Sequence, residues 1–87
     1  MPYHLAILPT ALRQIARLPQ PDQKRVRQKI DGLALDPYPV GVKKLQGKRR
    51  YLRVRSGNYR IIYTTDDDRL IVVVITVGHR REVYRSL

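Results

Sequence analysis

Apolar residues recur at two spacings along this chain, one suited to strands and one to helices. Tyr3 to Leu8 reads as a first strand, ended by Pro9-Thr10, with Thr10 placed to cap a helix. Ala11 to Leu18 carries Leu12, Ile15 and Ala16 at helical spacing. Pro19-Gln20-Pro21 breaks that helix. Asp22 follows as a second cap or a first-turn acid, where it suits the helix dipole. Val26, Ile30 and Leu33 then share one helical face, with Lys24, Arg25, Arg27 and Lys29 on the others. The pattern predicts a helical hairpin with a proline corner and a solvated basic surface. Asp36-Pro37-Tyr38-Pro39-Val40-Gly41 is too rich in proline for a helix or a central strand and reads as a connecting loop. Lys43 to Arg50 reads as basic and irregular.

The pattern changes to period 2 at Arg50-Tyr51-Leu52-Arg53-Val54-Arg55 and resumes as a β-rich run over Tyr59-Arg60-Ile61-Ile62-Tyr63-Thr64. Ser56-Gly57-Asn58 between them is turn chemistry. A two-residue loop at Gly57-Asn58 pairs Ser56 with Tyr59 and Arg55 with Arg60. Paired residues share a face. Arg53, Arg55 and Arg60 then lie on one side, and Leu52, Val54, Tyr59, Ile61 and Tyr63 on the other. A three-residue loop would move Arg60 onto the apolar face and bury its charge, so the two-residue loop is expected. Like charges directly opposite destabilise a sheet, so the arginine face suggests an anionic ligand that neutralises it.

Asp66-Asp67-Asp68 is the next turn. It lacks the spaced ligands, the glycine and the distal glutamate of an EF-hand loop, and reads as a solvated tight turn. Leu70 to Val77 is a continuous apolar run broken only by Thr76, the mark of a central strand covered on both faces. Gly78 is expected to end it and permit a sharp exit into the terminal segment His79 to Arg85.

Composition narrows the partners. The chain has 87 residues, which predicts a single domain over residues 1–87. Its net charge of +11 comes from 18 Lys and Arg against 7 Asp and Glu. So basic a small domain implies an anionic partner such as nucleic acid, an acidic membrane surface or an acidic protein. Lys43, Lys44, Lys48, Arg49, Arg50, Arg53, Arg55 and Arg60 follow one another without an acid between Lys43 and Arg60, a concentration that argues for phosphate. Cysteine is absent, which removes disulfides and thiolate metal sites. The start MPYHLAILPT lacks the pattern of a signal peptide, and the apolar run Leu70 to Ile75 is too short to span a bilayer. These features predict a cytoplasmic protein without a membrane partner.

The search for chemistry finds no Ser-His-Asp set, no phosphate-binding glycine loop and no metal-ligand cluster. No cofactor and no metal are expected. His4 reads as a structural residue of the first strand. His79 sits beside Arg80 and is a candidate base, although a turn position also suits a structural role. Glu82 is the only glutamate. What remains is a set of arginines and tyrosines. Such a set suits cleavage of RNA by its own 2′-hydroxyl, because preorganised guanidinium groups stabilise the charge of a phosphorane and positioning supplies much of the rest. Proton transfer is the weak point. An ordinary tyrosine, with a pKa of about 10, is ionised in about one molecule per thousand at pH 7, a handicap of about 4 kcal/mol. Such a catalyst would be slow on bare RNA and would depend on help with orientation.

Three segments carry a resemblance: Lys44-Leu45-Gln46-Gly47; Tyr51-Leu52-Arg53-Val54-Arg55-Ser56-Gly57-Asn58-Tyr59-Arg60-Ile61-Ile62-Tyr63; and Val77-Gly78-His79-Arg80-Arg81-Glu82-Val83-Tyr84. In their order and spacing the chain, from Tyr3 to Arg85, resembles the RelE toxins of the RelE/ParE superfamily of type II toxin–antitoxin systems. The resemblance implies a small α+β domain, with an N-terminal strand and a helical hairpin packed on a mainly antiparallel sheet. It implies a metal-independent, ribosome-dependent endoribonuclease that cuts mRNA in the ribosomal A site. It assigns Arg60 to the scissile phosphate, Arg80 to transition-state charge or the leaving oxygen, and Tyr84 to stacking on or activating the nucleotide. Arg53 falls where well-studied members carry a lysine and should keep its electrostatic role. Tyr51 replaces a second lysine sometimes proposed as the base, which leaves Tyr84, Tyr51 and His79 as candidate bases. Lys43, Lys44, Lys48, Arg49, Arg50 and Arg55 would hold RNA or the ribosome. The implied partners are the ribosome with its mRNA and a cognate antitoxin, partly disordered when free, with operator DNA reached only through the antitoxin.

Two other functions fit the same residues less well. A ParE-like inhibitor of DNA gyrase shares the fold but needs no Arg60, Arg80 and Tyr84 set. A non-catalytic nucleic-acid-binding partner of an antitoxin would not depend on Arg80 and Tyr84.

Overall fold

The computed structural model describes residues 2–45, 47 and 50–86. Its sheet has five strands in the order β1-β5-β4-β3-β2. β1 (His4–Ile7) runs parallel to β5 (Ile71–His79), with His4 opposite Ile71 and Ile7 opposite Val74. β4 (Tyr59–Asp66), β3 (Leu52–Ser56) and β2 (Lys43–Lys44) extend the sheet antiparallel from β5. α1 (Pro9–Ala16) and α2 (Gln20–Leu35) connect β1 to the rest, and a 3-10 helix (Arg80–Ser86) follows β5. The expected α+β arrangement is the one observed.

Burial sorts the sequence as periodicity predicts, with one rotation. Val26, Ile30 and Leu33 of α2 are fully buried, against Leu52, Val54, Ile61, Tyr63, Val72, Val74 and Val77 of the sheet. From α1 the core takes Ala11 and Ile15, while Leu12 stays 46% exposed. The helix begins at Pro9, earlier than Thr10 would set it, and its cap position, Leu8, makes no side-chain cap bond. Proline in the first turn explains the early start: its φ is already helical and it has no N–H to satisfy. Gln23 closes the proline corner, donating from Nε2 to the carbonyls of Ala16 at 3.1 Å and Leu18 at 3.0 Å. Asp22 lies in the first turn of α2, as expected of an acid there.

Gln14 does work that spacing does not reveal. β1 ends opposite Val74, which leaves the far half of β5 without a neighbouring strand on that side. The Gln14 side-chain oxygen accepts from the Val77 amide at 2.7 Å and from the Thr76 hydroxyl at 3.0 Å. It satisfies, in the Val77 amide, a backbone edge donor that a longer β1 could have met, and the Thr76 hydroxyl beside it. The register between β4 and β5 shifts by one residue just before this point, at Ile62/Tyr63.

The hairpin has the expected register: Ser56 opposite Tyr59 and Arg55 opposite Arg60. Gly57, at φ 60°, takes the left-handed conformation, as a two-residue hairpin requires at its first turn position. Three local expectations are corrected. Lys43–Lys44 is not irregular but a short strand paired with Leu52 and Arg53. β5 starts at Ile71, because Leu70 lies at φ 56° and completes the turn. Gly78 does not end β5: it lies within the strand, and the exit is made by Arg80 at φ 41°.

The Asp66-Asp67-Asp68 turn is tied rather than merely solvated. Asp66 Oδ1 accepts from the amides of Asp68 at 3.1 Å and Arg69 at 3.0 Å. Asp67 accepts from the hydroxyls of Tyr3, at 2.8 Å, and Tyr38, at 2.7 Å. The Tyr63 hydroxyl, fully buried, donates to the Pro37 carbonyl at 2.6 Å and anchors the proline loop to the sheet. Burial pushes its pKa well above that of an ordinary tyrosine. Among the described residues no helix is long and apolar enough to cross a membrane.

Candidate active site

Opposite the helices, the sheet turns its arginines outward. Arg53, Arg55 and Arg60 alternate with buried Leu52, Val54 and Ile61, as expected. This face is not wholly solvated. Ile62 shares it with Arg60 by strand periodicity and is 0% exposed, and Val83 of the 3-10 helix is 1% exposed. Neither belongs to the helix-side core. The 3-10 helix packs back against β4 and β5 and makes a second, smaller apolar layer on the arginine face.

That layer delivers Tyr84 to the arginines. Its hydroxyl accepts from Arg60 Nη1 at 3.0 Å and lies 3.5 Å from Arg53 Nη1. The Arg60 guanidinium also stands 5.8 Å from the centre of the Tyr84 ring, within cation–π range. Partial burial opposes ionisation of this phenol. The hydrogen bonds and positive charges of Arg53 and Arg60 outweigh it, and the Tyr84 pKa falls below that of an ordinary tyrosine. Arg53 Nε is buried without a hydrogen-bond partner, so its donor capacity is not used up by the protein.

Arg80 is exposed. Its amide donates to the Asn58 carbonyl at 3.1 Å, which ties the start of the 3-10 helix to the hairpin turn. Arg55, Gly57, Asn58, Arg60 and Arg80 enclose an open hollow of about 380 Å³. Four sequence-predicted residues, Arg53, Arg60, Arg80 and Tyr84, are therefore gathered at one end of one sheet face, with Arg55 at its rim.

Comparison with known proteins places the chain in a family. A family described as the ParE toxin of the type II toxin–antitoxin system parDE matches residues 5–84. The chain belongs to the RelE/ParE toxins. It is 33% identical to toxin RelG of Mycobacterium tuberculosis, over 98% of this chain and 99% of that one. It is 35% identical to toxin RelE of the same organism, over 97% of this chain and 88% of the relative. Among solved structures, the toxin–antitoxin complex RelBE2 of M. tuberculosis matches with a TM-score of 0.82 at 30% identity, covering 92% of this chain and all of the matched one. The chain is thus a RelE-type toxin of a type II system.

Within this RelE-type toxin the remaining candidates are spread out. His79 pairs with Tyr59 and meets its ring edge to face at 5.5 Å between centroids. Tyr59 packs on the helix-side core, so His79 lies across the sheet from Tyr84. Tyr51 lies just before β3, two residues ahead of Arg53 in the chain. It lines a separate cleft of about 780 Å³ with Lys44, Arg50, Tyr38 and the Asp66–Asp68 turn. No hydrogen bond joins it to Arg53, Arg60 or Tyr84. Lys43 opens onto a third hollow, of about 310 Å³, with Arg53 and Arg55. Lys48 and Arg49 lie outside the described residues.

The sequence reading missed Lys29 and Asn58. Lys29, taken as solvated helix surface, lines the same hollow as Lys43, Arg53 and Arg55. It lies far from them in the chain, and only the docking of α2 on the sheet brings it there. Asn58, taken as a turn former, contributes its carbonyl to the fixing of Arg80. Among the described residues, no group of three or more His, Cys, Asp or Glu is gathered as a metal ion would need.

Proposed function

We propose that this toxin is a ribosome-dependent endoribonuclease that cuts mRNA in the ribosomal A site and so inhibits translation. The observation that carries the reading is the Tyr84 hydroxyl held by Arg60 and Arg53. In the reaction the 2′-oxygen attacks the adjacent phosphorus, a new P–O2′ bond forms and the P–O5′ bond breaks. The proton leaves O2′ and a proton reaches O5′, so no metal or cofactor is required. Arg60 and Arg53 suit the charge that gathers on the non-bridging oxygens. Tyr84, with its lowered pKa, is favoured as the base over Tyr51 and His79, which stand apart from the arginines. Arg80, exposed beside Arg60, suits the leaving oxygen. The ribosome supplies the orientation that an open face cannot.

The cognate antitoxin is the other partner, a reading supported by the matched M. tuberculosis structure being a toxin–antitoxin complex. An acidic segment of it would neutralise the Lys43–Arg60 surface, so affinity should fall with salt. Binding that ignores salt would point to apolar wrapping instead.

Primer extension on a defined mRNA programmed on ribosomes tests the nuclease. Discrete cuts in the A-site codon are expected, absent without ribosomes and lost in an Arg80→Ala/Tyr84→Ala double variant. The family match described for parDE favours a second reading, inhibition of DNA gyrase. Intact mRNA on arrested ribosomes would defeat the first reading, and DNA damage signalling on expression would support the second.

A further inference from the structure

We infer that Gly78 is a positioning residue for Tyr84: its missing side chain is the space into which Val83 settles, and that seating carries Tyr84 onto Arg60 and Arg53. Gly78 lies in the middle of no turn and its φ is not left-handed, so backbone freedom does not explain a glycine there. Close approach does. A Cβ at Gly78 would stand 3.0 Å from Val83 Cα, 3.2 Å from Val83 Cβ and 3.3 Å from Val83 N. Two of those three atoms are backbone, so no rotamer change relieves the contact. Any side chain at this position would push the 3-10 helix away from the sheet by a few tenths of an ångström.

The rest of the linkage is short. Gly78 pairs with Arg60 across β4 and β5, so the residue that admits Val83 lies directly beside the arginine that Tyr84 must reach. Val83 is 1% exposed and Tyr84 is its neighbour in a 3-10 turn. A helix raised by a few tenths of an ångström or more would stretch the 3.0 Å bond from Arg60 and break the 3.5 Å contact from Arg53. Arg80 holds the other end of the segment through the Asn58 carbonyl, so displacement has to appear at the Val83–Tyr84 end.

Two opposite changes at this contact should have one consequence. Gly78→Ala overfills it, and Val83→Ala empties it. Each full-length variant is titrated by NMR with 13Cζ-labelled tyrosine, using Tyr84→Phe to assign the Tyr84 signal. The Tyr84 pKa should rise towards the ordinary value in both variants. Resting on the nuclease reading, kcat for cleavage on programmed ribosomes should fall by about 100-fold with KM unchanged. Val72→Ala, in the helix-side core, serves as the destabilised control. It should lower thermal stability and leave the Tyr84 titration as in the natural protein. Should Gly78→Ala not fold, Val83→Ala decides alone. Titration curves for Tyr84 that do not move, or that move equally in Val72→Ala, overturn the inference. A rise in both variants from a protein that never cuts mRNA would keep the positioning role and remove the nuclease reading.

Discussion

Arg60 grips Tyr84 in two ways, donating to its hydroxyl at 3.0 Å while its guanidinium carbon stands 5.8 Å from the centre of the same ring. The two residues belong to different elements, β4 and the 3-10 helix, and among the described residues neither has a carboxylate partner. Arg60→Met keeps the length of the stem and removes the charge. Cleavage on programmed ribosomes is expected to fall by about 100-fold or more, the loss typical of one charge-stabilising donor. Thermal unfolding should show the variant folded, and a loss of activity without folded protein would not count.

The pairing of Arg55 with Arg60 places like charges directly opposite each other. Arg55→Glu converts that repulsion into attraction and should stabilise the hairpin by about 0.2–1 kcal/mol, raising the melting temperature by a few degrees. The same change should weaken RNA or ribosome binding and flatten its salt dependence. Calorimetry and binding at two salt concentrations check the two halves, and a variant that loses stability contradicts the first.

Asp67 and its tyrosines couple stability to pH at both extremes. Hydrogen bonds from Tyr38 and Tyr3 lower the Asp67 pKa below the ordinary aspartate value of 3.8. Its contribution is therefore complete above that value and lost as pH falls through the lowered one. The Tyr3 pKa is raised from 10.0 to about 12, first by the hydrogen bond to Asp67, then by burial and by the charge of Asp67. Its contribution is complete below pH 10 and lost as pH rises through about 12. Melting temperatures of Asp67→Asn followed across pH should fall less steeply at both ends than those of the natural protein.

Gln14→Leu removes the acceptor for the Val77 amide and the Thr76 hydroxyl. Leaving such donors unmet costs about 1–3 kcal/mol. Denaturant unfolding should register that loss, and hydrogen exchange should accelerate at the Val77 amide. Exchange that stays slow would mean another acceptor takes over.

Much of this was legible from residue order. The α2 stripe Val26, Ile30 and Leu33, the hairpin register and the sorting of Arg53, Arg55 and Arg60 from Leu52, Val54 and Ile61 all follow from local periods and turn chemistry. These are short-range rules, and a mispaired register would have buried a guanidinium. Where the sequence reading slipped at Leu12 and Lys43–Lys44 the deciding partner was distant, whereas at Thr10 it was the neighbouring Pro9. Leu12 is the larger residue, yet Ala11 faces the sheet, because α1 lies against β5 and the side chains turned inward have to fit there.

By itself, then, the sequence determined the main elements, the hairpin and a basic sheet face. Only the tertiary structure decided that Tyr84 belongs to Arg60 and Arg53, that His79 faces away from them, and that Gly78 is needed for space rather than for a turn. Each of those relations joins segments separated along the chain or sides of one sheet. They are set by the folding back of the 3-10 helix onto β4 and β5, where a fit of a few tenths of an ångström leaves no periodic trace in the residue order.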